Sequence, residues 1–225
     1  MTHLETELLQ LNQAIIEMMG LVKKQLEKSK EAFINMDTEI AQEIIHNENR
    51  VNAMELSIDK TCENIFALFN PVATDLRFVI AMLKINSDLE RIGDYADGIA
   101  DYVIDLDTPF DKEILTTTGI NEMFDIAISM VNDIYQAFEK KDTALARKVF
   151  KKDNMLNKIN ENSSKVISEF VKECTSSFSS LLFLFSAIRK VERVGDHVKN
   201  IAEDIIFYQE AVILKHRNKK NKINN

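Results

Sequence analysis

The chain has 225 residues and 45% hydrophobic content, with 5 glycines, 2 prolines and no tryptophan. Turn formers are scarce, so long helices joined by few breaks are expected. The net charge of -8 opposes nucleic-acid phosphate and excludes nucleic acid as a partner. Cys62 and Cys174 form no CxxC and sit among apolar residues, which reads as two buried, reduced thiols in a cytoplasmic protein. The longest apolar stretch, residues 181–188, is far short of the roughly 20 residues that span a bilayer.

In chain order, Leu4, Leu8, Leu11, Ile15, Met18 and Val22 alternate four- and three-residue steps. That spacing lays one apolar stripe along a helix running to Asn35. Asp37 and Thr38 offer capping oxygens for a second helix, striped by Ile44, Val51, Ile58, Cys62, Ile65 and Phe69. Asn70 is read as the N-cap of a third helix, with Pro71 at its first position, where a missing N–H costs nothing. The third stripe is Ile85, Leu89, Ile92, Ala96, Ile99 and Val103, and Asp107-Thr108-Pro109 interrupts the chain after it.

The remainder replays this unit. Asp37 and the segment around HNENRVN (46–52) match Asp142 and FKKDNMLN (150–157) at a shift of 105. LERIGDYADGIAD, from Leu89, matches VERVGDHVKNIAE, from Val191, at a shift of 102. A repeat of about 100 residues is too long for a solenoid unit. The expected fold is all-α, with two tandem pseudo-repeated three-helix bundles made of six long antiparallel helices. The bundles are placed at 1–107 and 110–215, followed by a basic, disordered tail at 216–225.

Glu90, Asp94, Asp97 and Asp101 on the third helix fall within an arc of about 60°. The arc is rotated roughly 145° from the core stripe, so this acidic rail is expected to face outward. Glu48, Asn52, Glu55 and Asp59 repeat the spacing on the second helix, roughly 80° from its apolar stripe and bordering the core. Packed antiparallel, the two rails would present several carboxylates to one groove. The second copy keeps Glu192, Asp196 and Glu203, interrupted by Lys199, with Asp153, Asn157 and Asn160 on its partner helix. Cation binding is therefore expected to be stronger on the first bundle. Like charges at i,i+4 cost an isolated helix about 0.2–0.5 kcal/mol per pair. A hard cation would relieve them: magnesium, calcium, manganese and iron suit carboxylates, whereas zinc usually brings more His or Cys. A solvated helix face is the plain alternative.

Gly93 and Gly195 stand mid-helix, where each costs about 1 kcal/mol relative to alanine; a closely packed neighbouring helix is the expected reason. Arg91 and Arg193 are expected to pair with carboxylates on adjacent helices. Glu43 and His46 make a single ExxH whose repeat counterpart is Lys148 and Lys151, which argues against a di-iron redox site and for a surface role of His46. The sequence has no HExxH, P-loop, GxGxxG or plausible Ser-His-Asp set. No enzyme is expected; the alternative weighed is a metal-dependent carboxylate enzyme acting on phosphoesters.

NPVATDLRFVIAMLKINSDLERIGDYADGIAD, residues 70–101, closely resembles the signature of the PhoU family, and VERVGDHVKNIAED is similar to its second copy. The likeness runs from Leu4 to about Tyr208 and includes VNAMELSIDKTCENI. The resemblance implies a negative regulator of phosphate uptake and phosphate-starvation signalling. It further implies an adaptor that acts on the ATPase subunit of a phosphate ABC transporter and on a phosphate-sensing histidine kinase. A homodimer that reaches the membrane only through its partners is expected. The family's E(D)xxxD metal motifs match Glu90/Asp94 and Glu192/Asp196, with Glu55/Asp59 and Asp97/Asp101 as extensions. The implied cofactor is a divalent or trivalent metal ion, with iron, manganese, magnesium and zinc all left open.

Overall fold

The computed structural model describes residues 2–106, 109–173 and 178–214, and within them every element is an α-helix. Cys174 and the tail at 216–225 lie outside the described residues. Helix α1 spans His3–Asn35, α2 Thr38–Phe69, α3 Ala73–Asp105, α4 Lys112–Thr118, α5 Ile120–Lys140, α6 Thr143–Glu173 and α7 Phe178–Glu210. The sequence predicts one helix where α4 and α5 stand. Gly119, at φ 71°, closes α4 and opens α5 in a left-handed conformation that glycine adopts without steric cost.

The caps expose the duplication at atomic level. Met36 ends α1 at φ 55°, and Asp37 then accepts from the amides of Glu39 and Ile40 to start α2. Lys141 ends α5 at φ 55°, and Asp142 accepts from the Leu145 amide to start α6. Both turns thus pair a left-handed residue with an aspartate cap. One expected cap is corrected. Asn70 closes α2 at φ 46° and does not open α3, whose N-cap, Val72, makes no side-chain bond. Asparagine tolerates the left-handed end of a helix, and Pro71 after it cannot continue that helix.

Helix α3 packs on α1, α2 and α7, while α7 packs on α3, α5 and α6. The two GD-bearing helices therefore lie against each other at the centre. The apolar stripes read from the sequence make the core: Leu11, Ile15, Met18, Val22, Ile44, Val51, Ile65, Ile85, Leu89, Ile92 and Ile99 are all fully buried. Burying each such side chain contributes about 1.5–3 kcal/mol. Two aromatic clusters flank this core. Phe33 meets Phe110 and Phe124 at centroid distances of 4.8 and 6.1 Å, and Tyr208 meets Phe78 and Phe138 at 5.5 and 6.1 Å. No described helix is long and apolar enough to cross a membrane.

Candidate functional site

Glu48 sits on α2 with only 7% of its surface exposed, and neither carboxylate oxygen has a hydrogen-bond partner. Buried charges are ordinarily paired or bound to metal, so this side chain is the anomaly of the first bundle. Gly93 on α3 makes the room for it: a Cβ there would stand 3.2 Å from Glu48 Oε2 and 3.0 Å from Val51 Cγ1. The mid-helix glycine thus has the expected cause, close approach of the neighbouring helix, and the approaching group is a carboxylate.

Burial, then the charges of Asp97, Asp94 and Glu90, pushes the Glu48 carboxyl up to about 7. Asp97 is pushed up to about 6 by burial and by Asp101 and Asp94, against the pull of Lys190 from α7. Burial and Asp94 raise Glu90, while burial and Asp59 raise Glu55. One Asp97 oxygen is also buried without a partner. Glu48, Glu90, Asp94 and Asp97 thus form one electrostatically coupled acidic group, in which burial and mutual repulsion favour the protonated forms of Glu48 and Asp97.

The α3 rail does not face uniformly outward as its angle suggests. The Glu90 side chain is 15% exposed and Asp94 38%, while Asp101 is exposed. Packing on three helices widens the buried arc of α3, so its acids lie at the seam with α2. The arginines are corrected too. Arg91 bonds Asp94 at 2.9 Å and Arg193 bonds Asp196 at 3.5 Å, each on its own helix, because i,i+3 neighbours are the nearest acids.

The rails continue past this group, the charge of Glu55 acting on Glu90 and that of Asp101 on Asp97. Asp59 lies eleven residues beyond Glu48, about 16 Å along α2, and accepts from Asn86 Nδ2 at 2.8 Å. Glu90 and Asp101 are separated by the same number of residues, so the rails cannot converge on one point. Among the described residues no three His, Cys, Asp or Glu side chains already converge as a ligand set. A cation here would have to draw its ligands inward by side-chain rotation.

The second bundle puts Asp153 where the first has Glu48, 4% exposed and 3.7 Å from a Cβ placed on Gly195. Its charge is answered within the protein: Lys199 Nζ donates to Asp153 Oδ2 at 2.9 Å and lies 3.7 Å from Asp196. Burial works against the Lys199 ammonium, but the bond to Asp153 and the charges of Asp153, Asp196 and Glu203 hold it above the ordinary lysine value. Glu192, raised by burial and Asp196, has Arg189 at 3.9 Å. Sequence reasoning found Lys199 as an interruption and missed its role as a partner; the opposite sign at equivalent positions 97 and 199 was the available signal.

His46 is exposed and Glu43 pairs with Lys28, as a surface reading of the ExxH requires. His197, whose counterpart in the first copy is Tyr95, joins the bundles. Its Nδ1 is 2.6 Å from Asp88 Oδ1, which also accepts from Asn200 at 3.2 Å.

A family model described as the PhoU domain matches residues 15–103 and again 120–205. A phosphate-specific transport system accessory protein PhoU homolog from Aquifex aeolicus is 33% identical, covering 96% of this chain and 97% of the relative. The Escherichia coli accessory protein PhoU is 29% identical over 93% of this chain and 86% of its own. Among solved structures, PhoU from Pseudomonas aeruginosa superimposes with a TM-score of 0.86 at 30% identity, covering 92% of this chain and 99% of that one. The phosphate transport system regulatory protein PhoU from Streptococcus pneumoniae gives 0.85 at 28% identity, covering 95% and 100%. The family match spans both copies of the repeat and both GD helices, and the chain belongs to the PhoU family.

Proposed function

We propose that this chain is a negative regulator of phosphate uptake and phosphate-starvation signalling. It acts as an adaptor on the ATPase subunit of a phosphate transporter and on the associated histidine kinase. The observation that carries the reading is the double family match, since relatives named as accessory and regulatory proteins align over nearly their whole length. Deleting the gene should derepress phosphate-starvation genes in high phosphate. Unchanged expression would overturn the proposal.

In this reading the first bundle holds a divalent or trivalent cation through Glu48, Glu90, Asp94 and Asp97. The support is the buried Glu48 carboxylate with two unpartnered oxygens beside three further acids. Carboxylate oxygens suit a hard cation, which would supply the missing positive charge. The charge and donor type fit, and side-chain rotation completes the shell. Bound cation would neutralise the α2–α3 seam and shape the surface offered to partners. Elemental analysis of gently purified protein, repeated on Glu90→Gln with Asp94→Asn, tests the ligand set; equal metal content in both would refute it.

A further inference from the structure

The two bundles keep acids at three of the four positions around the buried carboxylate: Glu48 and Asp153, Glu90 and Glu192, Asp94 and Asp196. The fourth is reversed in sign, with Asp97 in the first and Lys199 in the second. Arg91 and Arg193 pair with the equivalent aspartates in both copies, so they do not account for the difference. Arg189 adds a positive charge 3.9 Å from Glu192, where the first copy has Ser87. Only the second copy's buried acid has a hydrogen-bonded cation, at 2.9 Å; both oxygens of Glu48 go without.

We infer that Lys199 is a resident counter-cation, taking in the second bundle the place that a metal ion takes in the first, and closing that bundle's acidic site to metal. The inference rests on the cation reading of the first bundle. An ammonium has three donors and no coordination geometry to satisfy, so it can bridge Asp153 and Asp196. A metal approaching Asp153 would have to displace a partly buried, charge-assisted hydrogen bond. The second bundle's buried carboxylate is thereby paired within the protein, whereas both oxygens of Glu48 are left without a partner.

Lys199→Asp would give the second copy an acid at all four positions, and Asp97→Lys would give the first copy the second's pattern. The test is calorimetric titration of full-length, chelator-stripped protein with Mn2+, together with melting in chelator. Wild type should bind Mn2+ in a Glu48-dependent manner. Lys199→Asp should add saturable Mn2+ binding that survives Glu48→Gln, with a melting temperature in chelator lower by about 3–6 °C and restored by Mn2+. The same Mn2+ uptake as wild type, with unchanged melting, overturns the inference. If Lys199→Asp fails to fold, Asp97→Lys decides: abolished Glu48-dependent binding and higher melting in chelator support the inference, and lower melting overturns it. The two readings separate cleanly. Uptake by Lys199→Asp but not wild type refutes the first-bundle site and leaves Lys199's role standing; uptake by wild type with no gain in Lys199→Asp does the reverse.

Discussion

Replacing Glu48 by glutamine keeps the shape of the side chain and removes its charge. An ordinary glutamate titrates at 4.5 and this one is held at about 7, a gap worth about 3 kcal/mol. The folded state binds the proton more tightly than the unfolded chain. Its stabilisation is therefore fully present below about pH 4.5 and is lost as pH rises through about 7. In chelator at pH 8, wild type bears nearly the whole cost of an ionised, buried carboxylate facing Asp97, Asp94 and Glu90, and Glu48→Gln bears none. For a chain of this size the variant should melt about 6–12 °C higher at pH 8 and only about 2–3 °C higher at pH 5. Thermal melts at both pH values, with and without chelator, measure this directly. A difference of equal size at pH 5 and pH 8, or a variant less stable at pH 8, would refute the assignment of the cost to Glu48's charge.

Gly93→Ala should lower stability even though alanine favours helix by about 1 kcal/mol. The new methyl meets Val51 at 3.0 Å and Glu48 at 3.2 Å, and overpacking of this kind costs about 1–3 kcal/mol. Gly98→Ala meets only the tip of the flexible Lys190 side chain, so it should melt at or above wild type; the reverse ranking in a thermal melt would contradict this packing account. Burial pushes the Cys62 thiol up to about 12, so in a Cys174→Ser background it should resist DTNB at pH 8 until the protein unfolds, and rapid labelling of native protein would show it accessible. Asp88→Ala leaves His197 and Asn200 without their shared acceptor and should cost about 1–3 kcal/mol in urea unfolding. A double-mutant cycle with His197→Ala should then show coupling, and strict additivity would rule out the pair as a tie between bundles.

The helices, their core faces and the duplication were legible because apolar spacing and caps are local properties. Asp37 performs the cap its position suggests. The break at Gly119 was signalled by three threonines and a glycine in succession, but the surrounding apolar residues masked it. Asn70 was read one helix too late, since its side chain suits either a start or a left-handed end and only the backbone decides. The rail residues were found by spacing, yet spacing measures angle within one helix. Which acids meet depends on the register between α2 and α3, which puts Glu48 opposite Gly93 and leaves Asp59 with Asn86. Gly93 announced a close neighbour without saying which one.

The α3–α7 contact gives a physical reason why a duplicated fold need not keep duplicated chemistry. Asp88 and Lys190 are equivalent positions, as are Tyr95 and His197, and Gly98 and Asn200. Asp88 reaches His197 and Asn200 on α7, while Lys190 lies 5.9 Å from the Tyr95 ring centroid and beside Gly98 on α3. Each residue therefore meets the other copy's version of the same partners. The core permits this divergence because Leu89 and Val191, Ile92 and Val194, Ile99 and Ile201, and Val103 and Ile205 stay apolar and buried in both copies. Backbone geometry, and with it the placement of Glu48 and Asp153, is fixed by those residues and by the two GD glycines. Charge at position 97 or 199 can then change sign without moving a helix, turning a seam whose buried carboxylate has no partner into one whose buried carboxylate is paired.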